Sequence, residues 1–167
     1  YIPKVLPAMP VNVYHVLCRK QGFYVPAGNP KKIFDFPDLA GEHIEFVNRE
    51  RGCGTRILLD GKLLRLGIDP YSIRGYGNEV SSHLLAAATV AMGGADAALG
   101  TERFASQVPG IEFIPLQTES YDMIIPKRFM DCAPIKMMLE TLRSPEFRSE
   151  TDMLGCYDTS GMGDRLM

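Results

Sequence analysis

The chain has 167 residues, 46% of them hydrophobic and 23% charged, the composition of a soluble globular domain or two small lobes. A net charge of −2 argues against a nucleic-acid surface, which carries a basic excess. No apolar run approaches the roughly 18 residues of a membrane span; the longest, Leu84 to Met92, is short and rich in alanine. Four cysteines (Cys18, Cys53, Cys132, Cys156) are scattered without a Cys-x-x-Cys pair, so neither zinc nor a disulfide framework is expected. They read as free thiols of a reducing compartment, hence a cytoplasmic location.

In chain order, Tyr1 to Pro10 is proline-rich and reads as an incoming loop, arriving from structure upstream. The alternation in residues 11–25 predicts one or two strands, ended by the turn Pro26-Ala27-Gly28-Asn29-Pro30. Phe36-Pro37-Asp38-Leu39-Ala40 is a short helical turn. Residues 43–47 predict a strand, and apolar spacing from Thr55 to Leu66 predicts a helix closed by Gly67 in the left-handed conformation. Residues 73–76 read as a short strand. An alanine-rich helix follows to about Met92, capped by Asn78 or Ser81. Residues 95–100 read as a buried strand and 101–106 as a short helix. Residues 111–116, closed by Pro115, and 121–125 read as two further strands. Residues 134–142 have a helical core face, and Ser144-Pro145-Glu146-Phe147 starts another helix. The glycine-rich tail from Thr159 is expected to fray.

Strands alternating with helices predict an α/β fold with mostly parallel sheets flanked by helices. Ligands of such sheets bind at strand carboxyl ends, against helix N-termini. Three candidate strand ends, in residues 48–55, 76–82 and 100–102, point the same way. The densest is Asn48-Arg49-Glu50-Arg51-Gly52-Cys53-Gly54-Thr55-Arg56, where two glycines allow close backbone approach and a helix start leaves amides without intrahelical partners. An ordinary strand-to-helix loop with a good cap fits the spacing equally. The phosphate loop of nucleotide hydrolases does not, because no Lys-Ser/Thr pair follows the second glycine.

The order of several stretches carries a resemblance. These are Gly22-Phe23-Tyr24-Val25-Pro26-Ala27-Gly28-Asn29-Pro30, Asp38-Leu39-Ala40, the Phe46-to-Arg56 run, Gly75-Tyr76-x-x-Glu79-x-x-Ser82-His83, Gly94-Ala95-Asp96-Ala97, Phe113-Ile114-Pro115-Leu116 and Leu142-x-Ser144-x-x-Phe147-Arg148. Together they resemble the periplasmic-binding-protein-like domain attached to molybdopterin biosynthesis proteins of the MoeA type and to some helix-turn-helix regulators. More distant similarity runs to periplasmic molybdate-binding proteins and to the effector domains of LysR-type regulators. The resemblance implies a type II binding-protein fold of one complete lobe, residues 38–116, and part of a second, residues 1–37 and 117–158, with 159–167 as a tail. The first strand-helix units of the family would lie upstream of Tyr1, leaving a sheet edge open to pairing with a second copy.

The resemblance further implies a small anionic ligand, molybdate, tungstate or a related metabolite, bound between the lobes and linked to molybdenum cofactor biosynthesis or its regulation. The ligand candidates are Asn48, Arg49, Gly52, Cys53, Gly54, Thr55, Arg56, Ser82 and Thr101. Thr101 stands where periplasmic molybdate binders carry a tyrosine. Arg49 and Arg56 would balance ligand charge or form ordinary ion pairs, and Glu79 is expected to pair with an arginine. No catalytic residue, metal or cofactor is expected of this chain. Two other readings stay open: an accessory domain of a molybdopterin biosynthesis enzyme, and a dimerising interaction module without a ligand.

Overall fold

The computed structural model describes residues 9–167. The incoming loop expected at Tyr1 to Pro10 therefore falls, for residues 1–8, outside the described residues. The chain divides into two compact units, one of Tyr1–Arg19 with Glu119–Met167 and the other of Lys20–Thr118. Residues 20–37 thus belong with the second unit, where 20–26 form strand and Ile33 and Phe36 enter the core.

In the second unit the sheet order is β3-β2-β4-β1-β5, where β1 is Val11–Pro26, β2 Phe46–Arg49, β3 Glu79–Val80, β4 Ala97–Thr101 and β5 Ile111–Pro126. The sheet is mixed. β2 runs parallel to both β3 (Asn48 opposite Glu79) and β4 (Phe46 opposite Ala97), whereas β4 is antiparallel to β1 (Gln21 opposite Thr101). Helix α1, Gly54–Leu66, covers one face, its Leu59 and Leu63 fully buried with Phe23, Phe46 and Leu99. Helix α2, His83–Ala91, covers the other; its small Ala86 and Ala87 bring the helix close to Tyr24, Val47 and Ala98. The period of two along β1, β2 and β4 divides these two cores. Each fully buried leucine contributes roughly 1.5–3 kcal/mol of transfer free energy. Gly67, at φ 68°, closes α1 as expected.

Residues 73–76, expected as a strand, instead follow the 3-10 turn Pro70–Ser72, which Asp69 caps by accepting from the Tyr71 amide. The expected strands 111–116 and 121–125 are one continuous strand, β5. Pro115 does not end it, because β5 terminates the sheet order, and an edge strand tolerates a residue without an N–H donor.

In the first unit, β1 pairs antiparallel with β6, Tyr157–Asp158, through Cys18 and Arg19. Helices α4, Ala133–Arg143, and α5, Pro145–Leu154, supply Leu139, Leu142 and Phe147 to a core with Tyr14 and Ile125; α3 is the single turn Glu102–Ala105 of the other unit. Ser144 starts α5 as expected, its hydroxyl accepting from the Phe147 amide. The tail, expected to fray, docks. Val13 and His15 offer backbone groups that need partners, and the tail provides them: Leu166 N–H donates to Val13 O at 2.8 Å and Gly163 N–H to His15 O at 2.8 Å. Met162 is buried beside Tyr14 and Leu142.

If the tail is part of this core, Met162→Ala loses about 2–3 kcal/mol of stability in urea denaturation. A loss within about 0.5 kcal/mol, the range of ordinary surface changes, would contradict the docking.

Candidate functional site

Three parallel strands end side by side in the second unit, and each is followed by a helix. β2 leads through residues 50–53 into α1, β3 through Ser81 and Ser82 into α2, and β4 directly into α3. Cys53 is the N-cap of α1, its sulfur accepting from the Arg56 amide at 3.4 Å. Gly52 holds φ 92°, which L side chains rarely adopt, so the turn requires glycine there. A Cβ at Gly52 or Gly54 would meet nothing within 4 Å, so the turn faces open space. As the first residues of α1, Gly54 and Thr55 carry amides that have no acceptor within the helix. Ser82 caps α2, not Asn78 or Ser81; its hydroxyl accepts from the Leu85 amide at 3.0 Å, and the Leu84 amide stands in the first turn, where the helix itself supplies no acceptor.

The other candidate residues stand behind this edge. Asn48 is buried, its Oδ1 accepting from Arg49 N–H and its Nδ2 donating to Tyr76 O. Arg49 is buried and grips Glu50 with two hydrogen bonds of 2.8 Å; its Nη2 also donates to Ser81 O, while Nη1 is buried without a partner. Arg56, buried as well, donates to Asp60, to Arg49 O and to Glu79 at 3.0 Å, and its guanidinium lies 4.3 Å from the centre of the Tyr76 ring. The structural Glu79–arginine pair is therefore present, with Arg56. Thr55 shares hydrogen bonds with the Gln21 amide, and Gln21 stands opposite Thr101 in the β1–β4 ladder; all three are buried. Thr101 makes no side-chain cap; its carbonyl accepts from the Tyr24 hydroxyl at 2.7 Å.

Two residues that matter here escape the sequence reading. Gln21 interrupts the apolar residues of β1, and a buried amide there has to find a partner, which is the available signal. Arg51 is the exposed cation of the turn, its side chain 84% exposed and 3.7 Å from Glu79; the same run of arginines hides which one is exposed.

A family model described as the PBP superfamily domain matches residues 1–143. The chain belongs to the PBP superfamily. It is 37% identical over 167 residues to the Bacillus subtilis (strain 168) protein YvgK, covering 100% of this chain and 53% of that protein. The chain thus spans about half the length of this relative. Among solved structures, it is similar to EhuB in complex with hydroxyectoine, with a TM-score of 0.63, 15% identity, and coverage of 95% of this chain and 62% of that one. It is also similar to a substrate-binding domain from Clostridium difficile assigned to a molybdenum ABC transporter, with a TM-score of 0.57, 13% identity, and coverage of 88% and 66%. The shared fold is the type II periplasmic-binding-protein fold, a mixed α/β sheet flanked by helices.

In this PBP-superfamily chain the charges near the turn are mostly spent on one another. The hydrogen bonds from Arg49 hold the Glu50 carboxyl below its ordinary 4.5. Burial works against the charge of Arg56, but hydrogen bonds with Tyr76 and Asp60 outweigh it and raise its pKa. Burial, then the hydrogen bond to Asp60, pushes the Tyr76 phenol up. A cavity of about 310 Å³ lies against this group, lined by Arg51, Gly52, Arg56, Asp60, Tyr71 and Tyr76. Among the described residues no cluster of three or more His, Cys, Asp or Glu is placed to hold a metal. No helix among them is long and apolar enough to cross a membrane. The helix starts can donate hydrogen bonds to a group that only accepts; that is the chemistry they offer.

Because the folded Glu50 carboxyl titrates below its ordinary value, its pair with Arg49 stabilises the fold above that value and the contribution fades as pH falls through the lowered one. Glu50→Gln, which leaves a buried guanidinium without its carboxylate, is therefore less stable than the parent at neutral pH. The gap in Tm closes as pH drops below about 4.5. A gap independent of pH would contradict the assignment.

Proposed function

We propose that the chain is a ligand-binding domain whose second unit grips an oxyanion, molybdate or tungstate first among the candidates. The observation that carries this is the pair of helix starts at the carboxyl ends of adjacent parallel strands, with the Gly52 and Gly54 positions open in front of one of them. Backbone amides suit a fully deprotonated tetrahedral oxyanion such as molybdate or tungstate, because it accepts hydrogen bonds at every oxygen and donates none. Arg51, exposed at the same turn, adds a positive charge whose contact within the chain is a long one of 3.7 Å to Glu79, a carboxylate that Arg56 also holds. Arg49 and Arg56 support the site from behind by fixing the loops, since both are held by carboxylates of the chain. The likeness to the binding domain assigned to a molybdenum transporter agrees with this ligand class.

On this reading the domain senses the anion in the cytoplasm and belongs to molybdenum cofactor biosynthesis or its regulation, attached to a further domain. Binding would bias that neighbour through a difference in affinity between two states of the domain.

Isothermal titration of the chain with molybdate, tungstate, sulfate and phosphate tests the reading. Saturable heat is expected with at least one of them. Gly54→Asp, which sets a carboxylate at the first turn of α1, weakens that binding at least about tenfold, while Tm holds or rises because the negative charge suits the helix start. No heat with any of the four anions, or undiminished affinity in Gly54→Asp, would overturn it.

A further inference from the structure

The first unit carries a cluster that anion binding does not use. His15, 8% exposed, has its Nδ1 3.0 Å from Asp122 Oδ1 and 3.1 Å from Ser120 Oγ, and the Ser120 hydroxyl donates to the same carboxylate oxygen. An ionised carboxylate only accepts, so the proton of a neutral imidazole belongs on Nδ1. Nε2 is then an acceptor, and it faces the Cys18 sulfur at 3.8 Å. Cys18 is held in place by its pairing with Asp158 in β6, is a free thiol, and is only partly buried, so a small reagent can reach it. Thiol, imidazole and carboxylate stand in the serial order of a nucleophile, its base and the group that orients the base.

We propose that Cys18 is a nucleophilic thiol served by His15, and that it is a modification site for small disulfides. In the step, the Cys18 sulfur attacks one sulfur of the disulfide while its proton passes to His15 Nε2. A new bond forms between the Cys18 sulfur and that atom, and the reagent's own S–S bond breaks. The other half leaves as a thiolate and takes up the proton from the imidazolium, so that Cys18 is oxidised as the leaving thiol is reduced. Asp122 stabilises the imidazolium while it lasts. Cys53 has a different task, because its sulfur accepts from the Arg56 amide as the cap of α1. Cys132, which is exposed, provides an internal reference.

The test is a time course of the whole chain with glutathione disulfide at neutral pH, each cysteine followed by mass spectrometry of its peptide. Cys18 is expected to react at least about tenfold faster than Cys132 despite being less exposed. His15→Gln brings the two rates together by slowing Cys18 and leaving Cys132 unchanged, a selective effect that unfolding would not give. A Cys18 rate no higher than that of Cys132, or an unchanged ratio in a folded His15→Gln protein, would overturn the proposal. Should that variant not fold, the ratio in the parent decides.

Discussion

One buried guanidinium, that of Arg56, holds the candidate site together. It reaches from α1 to the carbonyl of Arg49 at the end of β2, to the carboxylate of Glu79 in β3, and to Asp60 one turn along its own helix. Tyr76 closes over it with its ring and shares Asp60 through its hydroxyl. A charge removed from water is costly unless it is paired and its donors are used. Here two carboxylates, a carbonyl and an aromatic face share that task. The consequence is geometric: the start of α1 is fixed against the ends of β2 and β3, and its first amides are aimed where the strands finish.

Arg49 fixes the second helix start in a similar way. It lies under the loop to α2, donating to the carbonyls of Val80 and Ser81 while Glu50 covers its charge. Both arginines are thus structural ties, and the donors left for a ligand are backbone amides and the exposed Arg51. A site of this kind selects for acceptor oxygens through the donors it presents, with the nearby carboxylates of Glu50, Asp60 and Glu79 held by Arg49 and Arg56, and buried side chains set its geometry.

How far the sequence discloses this depends on range. Helix α1 with its glycine stop, the cap at Ser144, the buried strand β4 and the short helix after it are set by residues within a few positions, and the local pattern displays them. The three aligned strand ends also follow from the alternation of strand and helix. What is hidden depends on partners far along the chain. Pro115 looks like a strand end until β5 is found at the sheet edge. The tail looks loose until Val13 and His15 are seen to need its backbone. Thr55 looks like a donor free for a ligand until Gln21, 34 positions away, is found beside it. The three arginines of the turn are equivalent in the sequence, and only burial separates the two that tie the fold from the one that is exposed.

The central claim is that the amides at the start of α1 bind an acceptor. It is tested most directly by two-dimensional ¹H–¹⁵N spectra of the labelled chain recorded during titration with molybdate and, separately, phosphate. The account predicts saturable shifts largest at the amides of Gly54 and Thr55, joined by Leu84, with the first unit little changed. Spectra that stay fixed at those amides while any binding signal appears elsewhere would contradict it.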